Sequence, residues 1–387
     1  MRKDKNIKAF FELVRAGLFP VHGEGFLDKP SGRAERLVHD YSNVDWGEVY
    51  RLAEEQSVVG LVAAGIDNLN ANANDNFKFP QEWALQFIGQ TLQIEQRNKA
   101  MNAFIAELID GLRNVGVYTL LVKGQGVAQC YERPLWRASG DVDLLLSNSN
   151  YNQAKDYLST IADSVDKEDE RRLHLGMNMK GWVVELHGSL LTGISRPLNS
   201  VIEDVQYAIF NGGEVRSWEN EKTVVYLPSP DNDAFLIFSH ILEHFYVGGI
   251  GLRQVCDWCR LLHTYRESLN YGLLESRIRK AKILTEWRGF AALAVDYMGM
   301  PVEAIPLYED KKKWHRCAVR LCNRIIETGN FGHNVDESYR IRTSKMKELL
   351  ITFWRRVKEY WKLTMIFPTQ TPRIFLTYVT GRVKANM

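Results

Sequence analysis

The chain has 387 residues, 45% of them apolar and 25% charged, with a net charge of +2 at neutral pH. This composition argues against disorder and predicts a folded chain large enough for two or three domains. From Arg340 onward there are eleven Lys or Arg against two Glu, which leaves the first 339 residues at about −7 and makes the end of the chain a candidate surface for polyanions.

Met1 to Pro20 reads as an amphipathic first helix, with Ile7, Phe10, Phe11 and Val14 on one face. A secretory signal is not expected there, because Glu12 and Arg15 interrupt the apolar stretch and no small-residue cleavage site follows. Trp46 to Leu69 is a second apolar-periodic stretch. Its Val58 to Ile66 portion is the longest apolar run, well short of the roughly eighteen residues of a membrane span. Asn70 to Asn76 is a loop by composition. Pro80 then opens a long helix to Asn114, with Met101, Phe104, Leu108 and Leu112 as its buried stripe.

The texture changes at Val117 to Val122, an aliphatic and β-branched run bounded by Gly116 and Gly124 that predicts a buried strand. Gln125 to Tyr131 fits a short helix, and Val142 to Leu146 a second strand. Asn150 is expected to cap a helix through Ile161. Leu173 to Met179 and Trp182 to Leu186 read as a hairpin turning at Lys180-Gly181. After Pro228-Ser229-Pro230 the pattern is helical, near 231–246, 251–267, 273–298, 310–328 and 343–363. The fold expected is α+β, a small mixed sheet flanked by helices: a helical region over 1–100, a core over 101–228, and a helical domain with a basic tail over 229–387.

Five cysteines without a dense framework point to reduced thiols and the cytoplasm. Cys256 and Cys259 form a C-x-x-C in a helical pattern with no second pair, which reads as buried thiols.

Two carboxylates one residue apart on a strand share a face, so Asp141-Val142-Asp143 presents a like-charged pair that needs a cation or a proton. Hard oxygen ligands suit magnesium, which completes its shell with water and substrate phosphates. The chemistry indicated is phosphoryl or nucleotidyl transfer. Glu185, in the apolar strand Trp182-Val183-Val184-Glu185-Leu186, is a third candidate ligand. Upstream, Lys123-Gly124-Gln125-Gly126 runs from a strand into a helix, an arrangement that places backbone N–H groups near a bound phosphate. Lys123 adds positive charge, and Arg137 and Ser139 precede the acids.

The order strand, glycine turn, short helix, D-h-D strand and later acidic strand resembles the DNA polymerase beta-like nucleotidyltransferases. More narrowly, LVKGQGVAQCYERPLWRASGDVDLLL, followed by VVELHG, HILEH and GLRQVCDW, is similar to a bacterial nucleotidyltransferase family that carries little more than that name. The resemblance covers roughly residues 45–270. It implies magnesium or manganese bound by Asp141, Asp143 and Glu185, with a nucleoside triphosphate such as ATP as substrate. Lys123, Gly124, Gln125, Arg137, Ser139 and Arg253 would then serve the nucleotide, and Glu185 would act as a ligand of the acceptor-side ion or as a base. Gln125 stands where the wider superfamily commonly has serine, and Glu185 where aspartate is commoner.

His240 and His244, four apart on a helix, leave three readings open: zinc, contact with nucleotide or acceptor, or structural hydrogen bonding. His187 shares the face of Glu185 and is open between an active-site role and a backbone-bonded one. Arg253 and Asp257, also four apart, are expected to pair. Phe353, Trp354, Tyr360, Trp361 and Phe375 lie among the basic residues of the tail, and are either core or a surface for stacking bases. The acceptor is open among a small molecule, a protein and RNA. The competing readings are a catalytically silent nucleotide-binding or scaffold protein, and a toxin-like transferase acting on tRNA.

Overall fold

The computed structural model describes residues 2–19, 41, 43–72, 79–330 and 345–376. Helices α1 (Arg2–Leu18), α2 (Trp46–Glu55) and α3 (Val59–Asn72) precede the 34-residue α4 (Gln81–Asn114). The stretch expected over Trp46 to Leu69 is two helices, broken at Ser57 with φ +56°. Tertiary contacts stabilise the break: buried Gln56 donates to the Ile325 carbonyl at 3.2 Å and accepts from the Leu252 amide at 2.9 Å. Glycines let α1 and α3 approach closely, since a methyl group on Gly17 would overlap the Leu61 carbonyl and one on Gly65 the Leu13 carbonyl. Asn70–Asn72 continue α3 where a loop is expected, and 73–76 lie outside the described residues.

The central sheet has the order β1 (Thr119–Val122), β2 (Asp141–Leu146), β5 (Trp182–His187), β4 (His174–Met179), β3 (Ser164–Val165). Only β2 and β5 are parallel. The β4–β5 turn is at Lys180-Gly181, with φ +50° and +79°, as the sequence predicts. Between the strands lie α5 (Gly124–Ala128) and α6 (Asn148–Ser159). The cap of α6 is Ser147, whose hydroxyl accepts from the Asn150 amide, so the cap expected at Asn150 sits three residues earlier. The sequence pattern does not announce α7 (Arg196–Gly212) or the hairpin of β6 (Val215–Asn220) and β7 (Thr223–Pro228), because β6 reads V-R-S-W-E-N without a clean apolar alternation.

One sheet face is wholly apolar. Val142, Leu144 and Leu146 of β2 join Leu175, Met177, Val184 and Leu186 under Met101, Phe104, Leu108 and Leu112 of α4. Period-two alternation therefore sends Asp141, Asp143 and Glu185 to the opposite face. That face looks toward α8 (Pro230–Val247) and α9 (Leu252–Thr264), which continue into α10 (Tyr271–Lys280), α11 (Leu284–Met298), α12 (Lys312–Thr328) and α13 (Lys345–Ile366). The single helix expected over 273–298 is α10 and α11, separated at Lys282 with φ +59°. Among the described residues no helix is long and apolar enough to cross a membrane, and all five cysteines are buried free thiols, Cys256 and Cys259 included.

On α13 the aromatics divide. Tyr360 is buried and packs on Phe375 at 4.7 Å, whereas Trp354 and Trp361 are 61% and 70% exposed. The side chain of Phe353 lies outside the described residues, as do Arg340, Arg342, Arg382 and Lys384.

Glu286 of α11 is 2% exposed and accepts from the Tyr246 hydroxyl at 3.1 Å. Burial pushes its carboxyl up from 4.5 to about 7. A folded-state pKa above the unfolded one means that the folded chain holds the proton more tightly. The resulting stability is full below pH 4.5 and is lost as pH rises through about 7, a change of about 3 kcal/mol at roughly 1.4 kcal/mol per unit. Glu286→Gln is therefore expected to raise the Tm at pH 8 and to leave it nearly unchanged at pH 4. Equal shifts at both pH values in thermal scans would contradict this account.

Candidate metal centre and its two cavities

Asp141 and Asp143 are i and i+2 on β2, and the parallel register sets Asp143 opposite Glu185 of β5. Each of the three acids offers an oxygen within 4.8 Å of the others. Basic groups stand among the acids. Lys123 Nζ lies 2.6 Å and His187 Nε2 2.9 Å from Asp143 Oδ1. Glu185 Oε2 lies 3.3 Å from His174 Nε2.

These contacts divide the titration of the cluster. The charge of Asp143, followed by burial, raises the Asp141 carboxyl above its usual range. Burial alone would raise Asp143 too, but Lys123 and His187 outweigh it and hold that carboxyl below the usual range. Hydrogen bonds from His174 and His187 hold Glu185 far below it. Burial disfavours the cationic forms of His187 and Lys123, yet the facing carboxylates outweigh it and raise both. Asp141 is thus the acid that the protein's own cations serve least.

Lys123 occupies the strand-to-helix turn with φ +56°, followed by Gly124 at +39°. Strain of this kind in a non-glycine residue persists where the surroundings over-determine it, and here the Asp143 pair does so. A cavity of about 240 Å³ is lined by Lys123, Gly124, Asp141, Asp143, Glu185 and Arg253, with Arg137 also in its wall. A second cavity, of about 360 Å³, shares Lys123, Glu185, His240 and His244 with the first and extends past His174, His187 and Arg172. Glu185 therefore borders both spaces, whereas Asp141 and Asp143 line only the first, together with Arg137 and Arg253.

Of the residues expected to serve the nucleotide, two side chains are turned elsewhere. Gln125 is 1% exposed and donates to Asn98 Oδ1 at 2.8 Å, under α4. The Ser139 hydroxyl accepts from Arg137 Nη1 at 2.7 Å and lies outside the lining of either cavity. Asp257 acts electrostatically on Arg253, as its spacing suggests, but it has a second cationic partner as well. Asp257 takes a two-pronged ion pair from Arg137, with Nε and Nη2 at 3.0 and 2.6 Å, and accepts the Tyr131 hydroxyl at 2.8 Å. Arg253 donates to the Ala138 carbonyl at 2.7 Å. The planar fork of Arg137 matches the two oxygens of the Asp257 carboxylate. Through these bonds α9 holds the segment that leads into β2.

His240 and His244 pack ring to ring at 4.3 Å. Burial, then the charge of Lys123, lowers both pKa values, so they line the cavities as neutral imidazoles. His174 was not singled out from the sequence. Counting back from the Lys180-Gly181 turn places it opposite His187, so the hairpin register contained the signal.

A small mixed sheet thus carries three convergent acids on one face, beside a strand–glycine–helix turn. The chain belongs to the family described as uncharacterised nucleotidyltransferase, whose model matches residues 42–299. No curated protein and no solved structure matches it.

Proposed function

We propose that the protein moves a nucleoside monophosphate from a nucleoside triphosphate such as ATP to a hydroxyl of an acceptor, with magnesium or manganese held by Asp141, Asp143 and Glu185. The observation that carries this reading is the convergence of the three carboxylates, from two neighbouring strands, on one cavity. The bound ions would supply charge neutralisation at the phosphates and polarise the acceptor hydroxyl. The unit that performs the transfer is residues 101–228, closed by α8 and α9 of the helical region over 229–387. Reduced, buried cysteines support a cytoplasmic setting.

The protein's own groups have separable parts in this reading. Lys123 neutralises Asp143 in the metal-free protein and turns to the triphosphate when a cation takes over that task. Arg253, beside Gly124 in the arginine-lined cavity, is the second phosphate donor. Arg137 acts chiefly by anchoring the strand that bears the acids, because Asp257 and Ser139 already take its donors. Glu185, which borders both cavities, orients the acceptor side. The exposed Trp354 and Trp361 on a basic helix support including tRNA among the acceptors tested.

Nucleotide labelled at the alpha phosphate, offered with tRNA, cell-extract proteins and polyhydroxylated small molecules, tests the reading. Wild type is expected to label an acceptor and release pyrophosphate, and Glu185→Gln to do so at least about a hundredfold more slowly, the scale of losing one electrostatic contact to the transition state. Release of nucleoside diphosphate without alpha-label transfer would replace this reading with a kinase or hydrolase.

A further inference from the structure

Two imidazoles meet Glu185, and one of them, His187, also lies 2.9 Å from Asp143 Oδ1. His174 and His187 stand opposite each other in the β4–β5 register, and Glu185 is two residues before His187, so all three project from one sheet face. The Nε2 atoms of His174 and His187 lie 3.3 and 3.4 Å from the same carboxylate oxygen, Glu185 Oε2. Charge-assisted N–H···O bonds centre on about 2.7–2.9 Å, so these two hydrogen bonds are long ones. They match the edge of a tetrahedron around an ion whose ligands lie at about 2.0–2.1 Å, an edge of about 3.3–3.4 Å. One ligand atom from each of the three residues falls within 4.8 Å of the others.

We propose that His174, His187 and Glu185 form a second metal site for zinc or a chemically similar divalent ion, with Glu185 shared between this site and the aspartate pair. Two imidazoles and one carboxylate suit such an ion, whereas magnesium selects an all-oxygen shell. Three protein ligands leave a fourth position, the pattern of zinc sites that bind a reactant. All three line the cavity of about 360 Å³, so a water or a hydroxyl has room to complete the shell. The side chains of His174 and Glu185 are 36% and 29% exposed, which gives an ion a path in. The site requires only these three side chains and does not rest on the transfer reading.

The test uses the untagged full chain, stripped with chelator and titrated with zinc against a chromophoric chelator, with cobalt as a visible-absorbing substitute. Wild type is expected to take up zinc. His174→Ala should weaken that binding by more than about a hundredfold, the upper end of what losing an outer-shell partner costs. Zinc-edge absorption on wild type should count two imidazole nitrogens, a readout that needs no variant to fold. No zinc uptake by wild type, an unchanged affinity in His174→Ala, or a zinc spectrum without imidazole would overturn the proposal. So would loss of zinc in Asp141→Asn with retention in His174→Ala, which would assign the ion to the aspartates. The alpha-label assay with magnesium judges the transfer reading separately.

Discussion

Asp141→Asn is expected to abolish divalent-cation-dependent transfer, by about a thousandfold or more, while making the metal-free protein more stable. The activity loss follows from the several kcal/mol of charge stabilisation that a bound cation contributes, at about 1.4 kcal/mol per tenfold in rate. The stability gain follows from the sign of the Asp141 shift. Its folded-state carboxyl is raised above 3.8, first by the charge of Asp143 and then by burial, so the ionised form is destabilising at neutral pH and harmless below pH 3.8. Removing that charge leaves the Lys123–Asp143–His187 contacts in place. Thermal scans in chelator should show a higher Tm for the variant than for wild type at pH 7. Scans with manganese and nucleotide should show the reverse order of ligand-induced shifts, because only wild type completes the site. A variant that keeps the full metal-induced shift would remove Asp141 from the ligand set. Such opposition between stability and function is the ordinary signature of a site built from like charges.

Asp257→Ala should destabilise the protein by about 3–5 kcal/mol, the range for breaking a buried ion pair by removing one partner. Both side chains are under 10% exposed, so the Arg137 guanidinium would remain buried without its carboxylate. The Tyr131 hydroxyl would lose its acceptor as well. Urea titrations should show a lower midpoint at unchanged slope. The double variant Arg137→Met with Asp257→Leu should recover much of that loss, because an apolar pair of similar volume has no charge to strand. If the single variant is as stable as wild type, the pair does not anchor the segment leading into β2. If the double variant is stable but slow, the pair serves to place Asp141 and Asp143.

The shared face of the acids was legible in the sequence because strand periodicity is a local property. Asp141-Val142-Asp143 must present two carboxylates to one face, and an apolar strand interrupted by Glu185 must turn that residue to whichever face is not packed. The Lys180-Gly181 turn, the long α4 and its buried stripe were legible for the same reason, since residue type and spacing act within a few positions of the chain. What the tertiary structure alone decided is which distant groups meet. The breaks at Ser57 and Lys282 interrupt patterns that the local sequence would let run on. Asp257 met Arg137, 120 residues away, in a two-pronged ion pair that no local spacing announces. Gln125 turned under α4 toward Asn98, although its place in the glycine turn suggested phosphate. The pairing of β2 with β5 brought Glu185 beside Asp143, and the β4–β5 register brought His174 to His187. Spacing along a chain sets the face on which a charge emerges, and the packing of separate elements sets what that charge meets.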